Sequence, residues 1–274
     1  MSTIEIVGGN ITIIAPERNH RPVGISHRTK RKWWQFWRRP PGCPFCPGQE
    51  AENVDVLRQP HPTQKHTWLL RIIRNKWPLH DCHEVVIFSP SHDATLAQLG
   101  SQHILLVLQN LRARVKYWHN LGIRVALFIN NGRLAGASQE HPHAQIVGLP
   151  AGQAVRFPDY GQAVISVNQT TLCQTLIPVV PEFDFETIIA PRDPVPIWEA
   201  SDELLAGLSA DLGRVLACLE SQEPGLPYNV IFDPETSRIR VTGRKYARAG
   251  YELATGCRII HIDPVAWADQ LRAA

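Results

Sequence analysis

The sequence lacks any run of eighteen apolar residues, which is about the length that a helix needs to span a bilayer. Its N-terminus also lacks a basic segment followed by an apolar one, so we expect no secretory signal. Charge of one sign is scarce, because the formal net charge is only +3 over 274 residues, too little to argue for nucleic acid as a partner. We therefore expect a soluble, cytoplasmic protein that binds neither membranes nor nucleic acid.

Cysteine is also sparse, with six residues, of which only Cys43 and Cys46 lie close together. A secreted domain held by disulfides would be shorter and richer in cysteine, so the composition favours a reducing compartment. The Cys43-Pro-Phe-Cys46 spacing suits one zinc ion held by a tight turn, but it also suits a redox pair or two buried thiols. A second such pair is absent, so a zinc site must recruit histidines. The candidates are His80, His83, His92, His141 and His143.

The apolar pattern predicts an α+β fold of two tandem halves, each an antiparallel sheet with a long helix. Helical spacing predicts helices at 96–121 and 202–220. Residues 125–132 and 228–235 occupy matching points, which supports a division into domains 1–165 and 166–274. Short runs of β-forming residues predict strands at 11–15, 67–73, 84–88, 123–129, 146–147, 185–190, 228–232, 238–242 and near 257–262.

The stretch His141-Pro-His-Ala-Gln145 carries the clearest chemical signal. In an extended chain His141, His143 and Gln145 point to the same side. A neutral imidazole can attack phosphorus near pH 7, and the resulting phosphoramidate splits one displacement into two steps. Gln145 would donate a hydrogen bond to a nonbridging oxygen, and the backbone amides of residues 136–138 would cradle other oxygens. The alternative is that these histidines merely cap a loop.

Residues 136–145, Gly-Ala-Ser-Gln-Glu-His-Pro-His-Ala-Gln, resemble the active-site signature of galactose-1-phosphate uridylyltransferases, a family of the histidine-triad superfamily. The resemblance extends in the family's order over nearly the whole chain, although the segment from Val147 to Val180 is shorter than usual. Its further segments are 15–22, 43–48, 74–77, 83–92, 185–191 and 250–252.

The resemblance implies a role for each matching residue. Cys43, Cys46, His92 and His141 would bind a structural zinc ion, and no second metal site is expected because the second half lacks the family's His-x-His-x-x-Phe-Tyr-Pro element. His143 would be the nucleophile. Gln145 stands where the superfamily's hydrolases have a third histidine, which favours transfer over hydrolysis. Nucleotide and phosphate contacts would come from Arg18, Arg21, Asn75, Asn130, Gly136 and Ser138, and from Tyr251 and Glu252 of a partner subunit in a homodimer.

The implied reaction moves UMP from UDP-glucose to a hexose 1-phosphate such as galactose 1-phosphate, so a nucleotide sugar and a sugar 1-phosphate are the expected ligands. Two departures keep other functions open: residues 246–249 replace a usual Lys-Phe pair, and Lys76 replaces an acidic residue. One alternative is a phosphorylase or hydrolase of ADP-glucose or a dinucleoside polyphosphate. Another is a non-catalytic zinc-stabilised binding protein. In it, the basic and aromatic segment 30–39 would contact an anionic partner instead of packing as a solvated loop.

Overall fold

The structure is a computed structural model that describes residues 3–7, 10–15, 18, 42–65 and 67–274. Arg21 and the segment 30–39 lie outside the described residues. β1 (Thr3–Val7) and β2 (Asn10–Ile14) form a separate two-stranded antiparallel sheet, which confirms the strand predicted at 11–15. In the part of the chain that is described, no helix combines the length and apolarity needed to cross a membrane.

The remaining strands form one antiparallel sheet of ten, in the order β3-β4-β5-β7-β6-β11-β12-β10-β9-β8. The first five are β3 (Asp55–Pro60), β4 (Trp68–Arg74), β5 (His83–Ile87), β6 (Val125–Asn131) and β7 (His143–Gly148). The second five are β8 (Val164–Gln169), β9 (Cys173–Pro178), β10 (Thr187–Pro191), β11 (Tyr228–Asp233) and β12 (Arg238–Gly243). The helices are α1 (Leu96–Asn120), α2 (Asp202–Gln222), α3 (Gly250–Thr255) and α4 (Pro264–Ala273).

The two groups of five strands have the same topology. In each, three strands lead into a long helix and two strands follow, and the last strand inserts between its predecessor and the third. The groups meet where β6 pairs with β11, with Asn130 opposite Asn229. The predicted α+β fold is therefore present. The sheets predicted for the two halves join into a single sheet of ten strands. The division of the chain at residues 165 and 166 stays a prediction.

Helices α1 and α2 pack against each other and cover one face of this sheet. Val125, Leu127 and Ile129 of β6 point into that core, so the alternate residues point to the opposite face. Both helices begin where the sequence predicts, because Thr95 and Ser201 cap them by accepting hydrogen bonds from backbone amides. The uncovered face carries a smaller apolar cluster around the Cys43–Cys46 turn, and the candidate site lies there.

Not every element was predicted correctly. The strand expected near 257–262 is wrong, because the amides of His261 and Ile262 donate to the carboxylate of Asp184, at 2.7 and 3.2 Å, and the segment joins no sheet. Strands β1, β3, β8 and β9 and helices α3 and α4 were missed. β3 and β8 are the two edges of the sheet, where half-solvated residues such as Ser166 and Asn168 weaken the apolar pattern.

Candidate functional site

Four side chains of the open face form a buried cluster, which we call the Cys-His cluster: Cys43, Cys46, His92 and His141. All their ligand atoms lie within 4.8 Å of one another. The Nδ1 atom of His141 is 3.8 Å from Sγ of Cys43 and 3.7 Å from Sγ of Cys46, and Nδ1 of His92 is 3.4 Å from Sγ of Cys46. A tetrahedral zinc site with ordinary bond lengths has sulfur–nitrogen edges of about 3.5 Å. The four residues therefore fit a zinc ion.

Protonation within the Cys-His cluster also suits a cation. The Nε2–H group of His141 donates to the carbonyl oxygen of Ser89 at 2.8 Å, which leaves the Nδ1 lone pair facing the thiols. A hydrogen bond with Cys46 lowers the pKa of Cys43 to about 2 and outweighs the effect of burial, with further help from His141 and His92. Since metals bind thiolates, this depressed pKa favours the form of cysteine that a metal requires.

His143 is the first residue of β7 and lies directly beside the Cys-His cluster. Its Nδ1 atom is 2.8 Å from the carbonyl oxygen of His141, and its ring makes an edge contact with Phe45, at 5.2 Å between centroids. Because a carbonyl oxygen can only accept, Nδ1 of His143 carries the proton. The neutral ring therefore has its lone pair on Nε2, which is the nucleophilic form. The ring of His141 thus belongs to the Cys-His cluster, while the carbonyl group of His141 orients the ring of His143.

Gln145 lies two residues further along β7, on the same face as His143. Its Oε1 atom is 3.1 Å from Nε2 of His83, while Nδ1 of His83 accepts from the amide of Leu79 at 2.9 Å. A neutral His83 therefore has its proton on Nε2, which faces Oε1 of Gln145 on one side and the side-chain nitrogen of Asn75, at 2.9 Å, on the other, while the amide nitrogen of Gln145 points away from His83. The sequence analysis considered His83 only as a metal ligand and missed this contact, since spacing alone does not reveal a cross-strand partner.

The loop before His141 corrects one part of the predicted phosphate cradle. The amide of Gly136 donates to the carbonyl of Arg133 at 2.9 Å, and that of Ala137 donates to the carbonyl of Gly132 at 3.2 Å. Both amides are thus used within the loop, so the prediction that they hold phosphate oxygens is wrong for these two groups. The amide of Ser138 has no hydrogen-bond partner among the described residues. Gly136 itself adopts a φ of 85°, which favours glycine.

The other predicted binding residues fall into two places. Arg18 donates from its guanidinium group to the carbonyl of Trp77, and Asn75 accepts from the amide of Trp77 at 2.8 Å while its nitrogen lies 2.9 Å from Nε2 of His83. These two residues therefore lie near Gln145. Tyr251 and Glu252 lie elsewhere, on α3. Glu252 accepts from the amides of Ala249 and Ile259, and Tyr251 is 63% exposed.

Comparison with known proteins agrees with this arrangement. Residues 81–151, which include His83, His92, His141, His143 and Gln145, match the model of the family described as galactose-1-phosphate uridyl transferase, N-terminal domain. ADP-glucose phosphorylase of Arabidopsis thaliana is 24% identical over 92% of this chain and 86% of its own length. Galactose-1-phosphate uridylyltransferase of Haemophilus influenzae is 27% identical over 54% of this chain and 50% of its own length.

Solved structures show the same fold. The crystal structure of the Arabidopsis thaliana ADP-glucose phosphorylase with bound ADP-glucose superimposes with a TM-score of 0.72 at 22% identity, covering 100% of this chain and 99% of that one. A uridylyltransferase structure gives a TM-score of 0.70 at 18% identity and covers 100% and 98% of the two chains. Taken with the sequence relatives and the matched segment, they show that the chain has the fold of these proteins and that its residues 81–151 are similar to the N-terminal domain of galactose-1-phosphate uridyl transferases.

Proposed function

We propose that this protein transfers a nucleotidyl group from a nucleoside diphosphate sugar to a phosphate acceptor, through a covalent intermediate on His143. The observation that carries the proposal is the hydrogen bond from Nδ1 of His143 to the carbonyl oxygen of His141, at 2.8 Å. It fixes the tautomer that a nucleophilic imidazole needs, on a side chain that is only 5% exposed.

The first step is an in-line attack by Nε2 of His143 on the α-phosphorus of the donor. A bond forms between Nε2 and phosphorus, and the bond from phosphorus to the bridging oxygen breaks, so that the sugar leaves as its 1-phosphate. In the second step a phosphate oxygen of the acceptor attacks the same phosphorus, and the bond to Nε2 breaks. His143 thereby returns to its starting form, and each step needs only one displacement at phosphorus.

The neighbouring groups support this chemistry. During attack, the positive charge that develops on the ring of His143 is stabilised by the carbonyl of His141, which accepts from Nδ1–H. The amide group of Gln145, turned away from His83, is a donor for the nonbridging oxygens that become more negative. A zinc ion bound by Cys43, Cys46, His92 and His141 would have four protein ligands and no open position, so it would hold the His141 backbone and leave the chemistry to His143.

Two donors are candidates, and each has its own support. ADP-glucose is favoured by the Arabidopsis relative, because that similarity extends over 92% of the chain. UDP-glucose, with galactose 1-phosphate as acceptor, is favoured by the family match across residues 81–151 and by the Haemophilus relative. An ADP-glucose phosphorylase would use inorganic phosphate as the acceptor in the same two steps. A homodimer in which Tyr251 and Glu252 reach the partner's sugar belongs to either version of the proposal.

The test is covalent labelling without acceptor. The protein is incubated with ADP-glucose or UDP-glucose labelled at the α-phosphorus, and acid-labile label on protein is counted beside released glucose 1-phosphate. We expect label from one donor, in equal amount to the sugar phosphate, and none in His143→Ala. His119→Ala is the matched control, because His119 is exposed on α1 and stacks on Trp198 away from the site.

The outcome also separates the alternatives. Label from ADP-glucose alone identifies the adenine donor, and label from UDP-glucose alone identifies the uridine donor. A protein that binds zinc and either nucleotide sugar but takes no label from them contradicts the transferase proposal and supports the non-catalytic binding protein. Release of free nucleotide without an acceptor, at a rate close to that with phosphate, supports the hydrolase.

A further inference from the structure

We infer that Asn229, which the second half of the chain supplies, is a positioning residue for the candidate site of the first half. It fixes the direction of the Asn130 amide and seats the loop 132–138 beside His143. The catalytic consequence rests on the proposed function, whereas the positional effect can be measured without it.

The sheet places these residues in one row. Asn130 and Asn229 are directly opposite each other where β6 pairs with β11. The pairing of β6 with β7 ends at Ile129 opposite Ala144, so that Asn130 and His143 are the next residues on those strands. Ile129 and Ala144 both point into the core under α1 and α2, and their neighbours Asn130 and His143 therefore point to the open face. His143, Asn130 and Asn229 thus lie side by side on the three adjacent strands β7, β6 and β11.

The hydrogen bonds of Asn229 determine which way Asn130 points. The side-chain nitrogen of Asn229 is 2.8 Å from Oδ1 of Asn130 and 2.8 Å from the carbonyl oxygen of Ala135. A backbone carbonyl only accepts, so the contact with Ala135 identifies the amide nitrogen of Asn229 without ambiguity. Asn130 must then present its oxygen to Asn229 and its own NH2 group to the other side. That nitrogen lies 3.7 Å from the point that a Cβ atom on Gly136 would occupy.

A second contact holds the same loop on the second half. Gly132 has a φ of +81°, and a Cβ atom there would lie only 2.9 Å from Cβ of Pro227. Pro227 directly precedes β11, two residues before Asn229. The loop is therefore held at two points, with Gly132 against Pro227 at its start and the carbonyl of Ala135 bonded to Asn229 at its middle. The second half contributes shape and orientation to a site whose nucleophile belongs to the first half.

The orientation matters because an amide has one donor end and one acceptor end. With its oxygen held by Asn229, Asn130 directs its donor end toward Gly136, in the loop whose Ser138 amide is still available for a phosphate group of the proposed donor. Nonbridging phosphate oxygens attract donors and repel the amide oxygen, so a reversed Asn130 would oppose the negative charge of the transition state. Loss of Asn229 removes the constraint on Asn130 and releases the Ala135 carbonyl at the same time.

The experiment compares Asn229→Ala and Asn229→Asp with the matched control Asn131→Ala, all with an intact His143. Asn131 is the same residue type on the adjacent position of β6, and its side chain makes no hydrogen bond with the described residues. Single-turnover labelling at saturating donor should be about tenfold slower in Asn229→Ala, less than the roughly hundredfold loss that removal of a transition-state donor causes. Asn229→Asp should be at least as slow, because a carboxylate cannot donate to Asn130 and Ala135. Asn131→Ala should stay within about twofold of wild type.

A double variant shows whether Asn229 acts through Asn130. If it does, adding Asn229→Ala to Asn130→Ala should slow labelling by much less than tenfold, since the donor is already gone. Crystal structures of wild type and Asn229→Ala give a readout independent of activity, in which the Asn130 amide and the Ala135 carbonyl should both move. Thermal unfolding confirms that each variant is folded at the assay temperature.

Two results overturn the inference. Labelling of Asn229→Ala as fast as that of Asn131→Ala overturns it while the proposed function stands. If the wild type takes no label, the proposed function fails on its own, and the crystal structures then decide the positional effect. The second contrary result is a crystal structure of Asn229→Ala in which the Asn130 amide and the loop 132–138 are unchanged. Displacement of both supports the inference.

Discussion

The Nδ1 atom of His143 lies 2.8 Å from the carbonyl oxygen of His141, and the ring of His141 belongs to the Cys-His cluster. One residue thereby connects the candidate metal-binding group with the proposed nucleophile two positions later in the chain. Its Nδ1 faces the thiols, its Nε2–H group donates to Ser89, and its carbonyl accepts from His143. The position of His143 therefore depends on the backbone that the Cys-His cluster holds.

The purified protein should contain about one zinc ion per chain, and its thiols should report where the ion is bound. Burial raises the pKa of Cys82 to about 12, with help from the charge of Glu84, and that of Cys173 to about 11. These thiols and the buried Cys218, whose pKa burial also raises, should stay unreactive, so iodoacetamide should modify only the exposed Cys257 in the zinc-loaded protein. After chelation, mass spectrometry should find Cys43 and Cys46 modified as well. Full protection of Cys43 and Cys46 in folded, metal-free protein would contradict the assignment.

Substitution of one zinc ligand should affect stability and solubility more than chemistry. In Cys43→Ser the metal is lost or weakly held, and the melting temperature should fall by about 5–10 °C, as expected for a loss of a few kcal/mol in a chain of this size. The labelling rate of the folded fraction should fall less than in His143→Ala, which we expect to be inactive. Calorimetry and single-turnover labelling measure the two effects. Cys257→Ser, at an exposed cysteine, is the control and should match wild type.

Gln145→His should increase hydrolysis of the nucleotidyl intermediate. A histidine at this position can act as a general base toward water, whereas the amide of Gln145 cannot. The labelled intermediate is isolated, and one portion is mixed with acceptor and the other with buffer alone. The measurement is the ratio of product transferred to the acceptor to nucleotide released by hydrolysis. We expect the ratio to fall about tenfold or more. An unchanged ratio would remove the role assigned to Gln145, even if the overall rate declined.

The second half is stabilised by a buried ion network centred on Arg240. Its guanidinium group is 2.5 Å from Glu186, which is almost completely buried, and 2.8 Å from Glu182. Glu186→Ala leaves a buried cation only partly compensated, which costs about 3–5 kcal/mol and should lower the melting temperature by about 10 °C. Asp269→Ala breaks the exposed pair with Arg272 and should cost less than about 1 kcal/mol. Equal effects of the two substitutions would contradict the assigned importance of burial.

The same network predicts how stability changes with pH. Burial tends to raise the pKa of Glu182, but hydrogen bonding and charge from Arg240, with the charge of Arg258, lower it below the usual 4.5. A carboxyl group with a lowered pKa in the folded state stabilises the protein above its unfolded pKa, and this contribution is lost as pH falls through the folded value. Denaturant unfolding between pH 6 and pH 3, compared with Glu182→Gln, should show a smaller loss of stability in the variant. Identical pH dependence in both would contradict the prediction.

The sequence predicts much of this fold because its strongest signals are local. Helices α1 and α2 have caps and long apolar faces, and inner strands such as β5 are rich in β-branched residues. The edge strands β3 and β8 were missed because half of each is solvated. A strand at 257–262 was wrongly predicted because the backbone amides of His261 and Ile262 donate to the carboxylate of Asp184 instead of to a neighbouring strand.

For the site, the family resemblance predicts which residues meet, and the structure brings Cys43, Cys46, His92 and His141 together. It does not predict the partners that orient them. His83 beside Gln145 and Asn229 beside Asn130 come from registers between strands that are 62 and 99 residues apart in the chain. The phosphate cradle was partly wrong for the same reason, because the use of the Gly136 and Ala137 amides depends on how the loop closes.

The most direct test of the central claim is to locate the covalent intermediate at the level of a single atom. The protein is incubated with the donor that labels it, quenched with alkali and digested, and the modified peptide is identified by tandem mass spectrometry and phosphorus–nitrogen NMR coupling. The account predicts one nucleotidyl group per active site, bonded to Nε2 of His143, with release of an equal amount of sugar 1-phosphate. Turnover with no adduct, or an adduct on Nδ1 or on any other residue, would contradict it.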